Sequence, residues 1–281
     1  MNTLMHAPSA KDLAVADEDE HPTFDTSVAH QARMYNYWLG GKDNYAADRE
    51  AAERVIRAYP DILVGVRAQR AFLGRAVRYL ATEAGIRQFL DIGTGIPTAD
   101  NTHEAAQSVV PESRIVYVDN DPIVLAHARA LLTSSPEGAT DYIDADLRDP
   151  EAILREAART LDFARPVAVM LLGILQAIPD TGQPWEIVAR LLAAVPPGSY
   201  FAIVHPAIDI AAGQMAEAQR RYNESAAAPI KLRTKDEVAR FFGGLELVDP
   251  GLVQLHRWRP GPAGPVPRHD VAAYGGVGRK P

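Results

Sequence analysis

Apolar and polar positions change rhythm along the chain. Between residues 28 and 84 the apolar ones recur at helical spacing, which predicts three helices. Val28 to Leu39 forms the first, behind a cap at Asp25-Thr26-Ser27 and ahead of Gly40-Gly41, where a helix would end. Ala46 to Tyr59 forms the second, stopped by Pro60, and Val64 to Ala84 the third, stopped by Gly85. In the third, Phe72, Leu73, Ala76, Val77 and Leu80 share one face. Arg67, Arg70 and Arg78 share the opposite face, which reads as solvated surface rather than an anion site.

After Gly85 short apolar runs alternate with helical stretches. Strands are expected at Gln88 to Gly93, Arg114 to Asp119, Asp141 to Ala145, Pro166 to Leu172 and Ser199 to His205. Helices are expected at Thr98 to Val110, Pro122 to Leu132, Pro150 to Leu161 and Trp185 to Ala194. This alternation predicts a doubly wound α/β fold, a mostly parallel sheet with helices on both faces. Toward the end come a helix at Thr234 to Phe242, short strands at Leu245 to Val248 and Leu252 to Leu255, and a Gly/Pro-rich loop at Gly261 to Pro267. Val271 to Gly278 reads as a last, edge strand. No repeat or composition shift marks a second domain. The expected organisation is a disordered acidic tail at 1–22 and one domain at 23–281, with a helical cap at 23–85 and the α/β core at 86–281.

Composition narrows the classes. The 281 residues are 47% hydrophobic and 23% charged, enough apolar material for a large core. With no cysteine there is neither a disulfide framework, nor a thiolate metal site, nor a cysteine nucleophile. The formal charge of −7 argues against a nucleic-acid partner, which would require a basic footprint. Much of that charge sits in residues 1–22, where Lys11 faces Asp12, Asp17, Glu18, Asp19 and Glu20. The longest apolar run, Val167 to Leu175, is about half of what a bilayer span requires, and no secretory signal is visible, so a cytoplasmic location is expected.

The informative stretch is Phe89-Leu90-Asp91-Ile92-Gly93-Thr94-Gly95, a strand running into Asp-x-Gly-x-Gly. Glycines there permit close backbone approach to a ligand, and the helix that follows offers free amides. The second strand ends in Val118-Asp119-Asn120-Asp121, where a carboxylate meets a bound nucleoside's ribose. The third strand leads into Asp144-Ala145-Asp146-Leu147. Asp91, immediately ahead of the glycines, suits a ligand amine and would repel a pyrophosphate.

These residues resemble the class I S-adenosylmethionine-dependent methyltransferases, and in particular an actinobacterial subgroup first known as a domain of unknown function. The similarity covers about residues 24–280. It is carried also by Phe24-Asp25-Thr26-Ser27, by Tyr35 to Tyr45 with its Leu39-Gly40-Gly41-Lys42-Asp43-Asn44 block, by Ala47 to Glu50, by Arg70 to Leu73, and by Leu245 to Pro250 and Tyr274 to Lys280. The resemblance implies a Rossmann-like methyltransferase domain that takes S-adenosylmethionine and releases S-adenosylhomocysteine. It further implies that Gly93, Thr94 and Gly95 wrap the methionine part, with Asp91 near its amino group. Asp119 would take the ribose hydroxyls, Asn120 would flank the adenine, and Asp146 with Leu147 would meet the adenine amino group. Asn101 would touch the cofactor's carboxylate or simply cap a helix, and Gly173 would lie beside the cofactor. Two departures stand out. Pro97 replaces the third glycine, and Leu172-Gly173-Ile174-Leu175-Gln176 stands where some amino-group methyltransferases carry Asn-Pro-Pro-Tyr.

Methyl transfer needs mainly alignment, so no universal catalytic residue is expected. His205, at the end of the fifth strand, is the candidate general base, against a packing role. Tyr35, Asn44 and Tyr45 are the acceptor-side candidates, with the aromatics around Gly40-Gly41 as a lid over the pocket. No spacing of His, Asp and Glu matches a metal site. The reading is an S-adenosylmethionine-dependent methyltransferase acting on a small-molecule acceptor, without nucleic-acid or membrane partner; the oligomeric state is open. A non-catalytic cofactor-binding or regulatory protein and a nicotinamide-dependent oxidoreductase are the alternatives.

Overall fold

The computed structural model describes residues 25–131, 133–261 and 270–281. The acidic tail, Phe24 and most of the Gly261 to Pro267 loop lie outside the described residues. Three helices come first: α1 (Gln31–Trp38), α2 (Ala46–Ala58) and α3 (Ile62–Thr82). Gly85, at φ +71°, lets the chain turn back at the end of α3 so that the Ile86 amide reaches the Leu80 carbonyl.

The α/β part runs β1 (Gln88–Ile92), α4 (Thr102–Gln107), β2 (Arg114–Asp119), α5 (Pro122–Leu131), β3 (Ala139–Asp144), α6 (Pro150–Ala157), β4 (Ala168–Leu172), α7 (Pro184–Ala193) and β5 (Tyr200–Pro206). After it come α8 (Ala212–Asn223), α9 (Lys235–Ala239), β6 (Glu246–Leu247), β7 (Val253–Gln254) and β8 (Ala273–Arg279). Among the described residues the strands make one sheet in the order β3-β2-β1-β4-β5-β8-β6, with β7 also paired to β8. The pairs among β1 to β5 are all parallel, and β8 is antiparallel to its neighbours. The chain is thus the α/β Rossmann-like fold expected.

Strand alternation builds the two apolar layers. Leu90, Ile92, Val116, Val118, Val169 and Leu171 face one side, over Ile153 of α6 and Ile187, Val188 and Leu191 of α7. Phe89, Ile115, Tyr117, Met170 and Leu172 face the other, against Phe72, Leu73, Ala76, Val77 and Leu80 of α3. Burying each large aliphatic or aromatic side chain of that stripe stabilises by about 1.5–3 kcal/mol. So α3 is a wall of the sheet, while α1 and α2 pack with α8 in a separate cluster that includes Trp38, Val55, Tyr59, Met215 and Tyr222.

Three expectations change. The stretch from Thr98 to Asp100 is a loop with Asp100 at φ +65°, so the helix expected from Thr98 starts only at Thr102. The helix α8 was not expected, although Met215, Ala218 and Tyr222 recur at helical spacing on its buried face. The last strand is not at an edge: β8 lies between β5 and β6. Its glycines make this possible, since a Cβ at Gly275 would stand 2.6 Å from Leu255 and one at Gly278 2.8 Å from Phe242.

Candidate functional site

At the carboxyl ends of the strands a cavity of about 310 Å³ opens where β1 leads to β2 on one side and β4 lies on the other. That reversal of strand order is where open α/β sheets place ligands, and the volume suits a small molecule. The apolar strand β1 ends in a glycine turn, and glycine is the residue that takes its left-handed backbone most readily. Gly93 has φ +76° and Gly95 φ +66°. A Cβ on Gly93 would stand 2.5 Å from Ile174, whereas around Gly95 the space is open.

Carboxylates at or just past the ends of three successive strands line this cavity. Asp91, 5% exposed, accepts a hydrogen bond from the Thr102 hydroxyl at 2.6 Å. Burial pushes its carboxyl up to about 6, against the lowering effect of Thr102 and Arg70. Asp119 accepts from the Gly95 amide at 2.9 Å with one oxygen and from the Asp121 amide at 3.0 Å with the other, fixing the turn. Burial likewise raises Asp119. Asp146 pairs with Arg148 at 2.9 Å and accepts from the Asn120 amide at 3.2 Å.

Every residue expected to hold the cofactor lines this cavity: Asp91, Gly93, Thr94, Gly95, Asn101, Asp119, Asn120, Asp146, Leu147 and Gly173. Asn101 does so while its amide is engaged with the Thr98 backbone on both sides, donating to the carbonyl and accepting from the amide. Arg70, read as solvated, instead lines the cavity and donates to the carbonyls of Ala99 and Asp100, both at 2.9 Å. Arg78 pairs with Asp100 at 3.0 Å, so together these arginines hold the loop that follows the glycine turn.

The acceptor-side candidates separate. Tyr35 lines the cavity. Asn44 does not: its amide donates to Asn36 at 2.9 Å and to the Gly41 carbonyl at 3.0 Å, tying the loop between α1 and α2. Tyr45 is also outside the lining, ahead of α2 with the Arg33 guanidinium 5.5 Å from its ring. His205 points away from the cavity and is fully buried. Its Nδ1 lies 2.9 Å from the Pro206 carbonyl, which only accepts, and its Nε2 2.9 Å from Arg233, which only donates. Those partners fix a neutral ring, and burial pushes its pKa down to about 3. Both ring nitrogens are thus engaged within the fold, and the ring stands outside the cavity lining.

Other residues complete the site. The amino end of α1 straps the opening: His30 Nδ1 lies 2.8 Å from Asp121, and the Gln31 amide donates to the Gly173 carbonyl at 3.0 Å. Buried Asp48 of α2 holds this strap, accepting from the His30 amide at 2.9 Å with the Arg33 Nε 3.1 Å away. The wall opposite comes from α8, through Met215, Ala218, Gln219 and Tyr222. Their spacing is that of one helix face, the signal from which α8 could have been found; His30 and Gln31 carried no local signal, because their partners are remote in the chain. Among the described residues no three His, Asp or Glu side chains cluster as metal ligands. Nor is any described helix long and apolar enough to cross a membrane.

The model of a family described as S-adenosyl methyltransferase matches residues 17–281. Two solved structures are similar over nearly their whole length. A DUF574 family protein from Streptomyces avermitilis is 50% identical, with 92% of this chain and 99% of that one covered and a TM-score of 0.89. A protein from Thermobifida fusca is 41% identical, with 91% and 96% covered and a TM-score of 0.83. No curated protein matches the chain.

Proposed function

Since the chain belongs to the S-adenosyl methyltransferase family, we propose that it transfers a methyl group from S-adenosylmethionine to a small molecule held between the cap helices and α8. The observation that carries this is the convergence of Asp91, Asp119 and Asp146 on one cavity beside the Gly93–Gly95 turn. The cavity suits the cofactor chemically, since three separate carboxylates fit a ligand with an amine, a diol and a purine amino group. They would repel the phosphates of a dinucleotide.

In this reading Asp91 pairs with the methionine ammonium and the turn amides meet the methionine end. Asp119 receives the ribose hydroxyls, while Asn120, Asp146 and the Leu147 backbone hold the adenine. When bound, S-adenosylmethionine supplies an electrophilic methyl on a sulfonium. The protein's share is then alignment and exclusion of water, served by the α1 strap and the apolar wall of Tyr35, Met215 and Tyr222.

Calorimetry with S-adenosylmethionine, S-adenosylhomocysteine and NAD tests this reading. The two sulfur ligands should bind and NAD should not; the reverse preference would sink it. Asp119→Ala should weaken S-adenosylhomocysteine by about 1–3 kcal/mol, because it removes charged hydrogen bonds.

A further inference from the structure

The apolar cluster that joins α1, α2 and α8 surrounds a hollow. Its buried members Trp38, Val55, Tyr59, Val66, Met215 and Tyr222 all line the cavity as well. In the sheet layer, by contrast, Leu90, Val116, Val169 and Leu171 take no part in the lining. Protein interiors pack to the density of organic crystals, so a hollow inside a cluster of this kind calls for an occupant. A void lined by apolar side chains takes up apolar molecules, because water there lacks hydrogen-bond partners. Polar groups on this side of the cavity serve the fold itself. Trp38 Nε1 donates to the Ala52 carbonyl and the Tyr35 hydroxyl to the Val66 carbonyl, both at 3.3 Å. The Gln219 Oε1 accepts from the Leu232 amide at 2.7 Å. Burial raises the phenols of Tyr35, Tyr59 and Tyr222, which therefore stay neutral.

Charge gathers at the other end. Among the described residues the acidic and basic side chains of the lining are Asp91, Asp119, Asp146, Arg70, Arg148 and His30. Asp91 and Asp119 flank the glycine turn, Asp146 pairs with Arg148, and His30 with Asp121. Arg70 holds the Ala99 and Asp100 carbonyls of the loop after that turn. None of the six comes from α2, from α8 or from residues 227–232, which supply the far wall. Along α3, Ile62 and Val66 line the apolar end and Arg70, a turn further on, the charged one.

Resting on the methyltransferase reading above, we infer that this hollow is the chamber for the methyl acceptor, and that the acceptor is an uncharged, largely apolar small molecule. The cofactor takes the charged end of the cavity, which leaves the apolar end for the body of the acceptor. A carboxylate, ammonium or phosphate carried into the chamber would lose its hydration and meet no counter-charge. Amino acids, nucleotides and sugar phosphates are therefore not the substrates of this enzyme. An apolar body gains by leaving water and by filling the space that the cluster leaves open.

Naphthalenemethanol, naphthoate and naphthylmethylammonium, probes of one apolar body that differ in charge, test this on the full chain. Each is titrated calorimetrically into protein with and without saturating S-adenosylhomocysteine. The neutral alcohol should bind in both cases, and each charged probe at least about tenfold more weakly. Ala218→Leu fills the chamber from α8. It should weaken naphthalenemethanol about tenfold while leaving S-adenosylhomocysteine affinity within about twofold. Thermal melting verifies that the variant folds, and Val66→Phe, which fills the chamber from α3, takes its place should it not. Tighter binding of either charged probe, or binding of none of the three, overturns the proposal. Unchanged binding of the alcohol in the filled variant places it elsewhere and overturns the chamber. An equal loss of S-adenosylhomocysteine affinity assigns the hollow to the cofactor and does the same. Failure of S-adenosylmethionine and S-adenosylhomocysteine to bind, with the alcohol still bound, would instead refute the methyltransferase reading and leave the apolar chamber standing.

Discussion

Replacing Asp91 by Asn should make the free protein more stable and its ligand complex weaker. Asp91 is 5% exposed, and burial raises its carboxyl from an ordinary 3.8 to about 6. Between those values the folded chain keeps a proton that the unfolded chain has lost. Stability therefore falls as pH rises through that window, by about 3 kcal/mol in all for a difference of about two pH units. Asparagine has nearly the same shape, does not titrate, and can still accept from the Thr102 hydroxyl. Urea unfolding followed by circular dichroism at a series of pH values measures the difference between variant and wild type. It should be near zero at about pH 3, grow through about pH 4–6 and level near 3 kcal/mol by about pH 7. Calorimetry on the same samples should show S-adenosylhomocysteine bound about ten- to a hundredfold more weakly by the variant at neutral pH, as expected for a lost charged hydrogen bond. A pH-independent difference, or a variant less stable than wild type at neutral pH, would refute the reasoning. The predicted pairing is a trade of stability for a charge placed to meet the ligand.

Two further substitutions separate strap from packing. Asp48→Ala leaves the buried Arg33 guanidinium without its carboxylate and the His30 amide without its acceptor. It should cost about 3–5 kcal/mol in chemical unfolding and lower S-adenosylhomocysteine affinity as the strap loosens. His205→Phe removes the acceptor of an Arg233 N–H and should destabilise by about 1–3 kcal/mol. The pH dependence of turnover should be unchanged, since both ring nitrogens are engaged within the fold and the ring is outside the cavity lining. Because burial holds His205 down to about 3, the wild type loses its contribution as pH falls below the ordinary 6.5. The variant should lose less stability than wild type over that acid range.

The sequence was most legible where local pattern and tertiary role coincide. Arg114 to Asp119 was placed to the residue because its apolar positions are β-rich and closed by an acid that also ends the strand. The lining of the cavity around the glycine turn was legible for the same reason, since the glycines and the three acids stand at or just past strand ends, where position along the chain gives position in space. Partnerships across the fold were not. Gln31 meets Gly173 across 142 residues, and nothing near either residue announces the other. Asn44 looked like a site residue by its neighbourhood, yet its amide closes a local loop. His205 illustrates the same limit: a strand end predicts the edge of the cavity, but the alternation of side chains decides whether a residue faces it. Val204 and Pro206 do, and His205 between them does not.

The position of β8 sets an order of events in making the protein. Its partners β5, β6 and β7 are all synthesised earlier, and Tyr200 pairs with Arg279 across most of the final third of the chain. During synthesis β5 therefore presents an unpaired edge until the last strand emerges, and an open edge of buried, apolar residues invites pairing with other chains. A glycine-rich segment, poor in intrinsic strand preference, must then find the slot between β5 and β6 to close that edge.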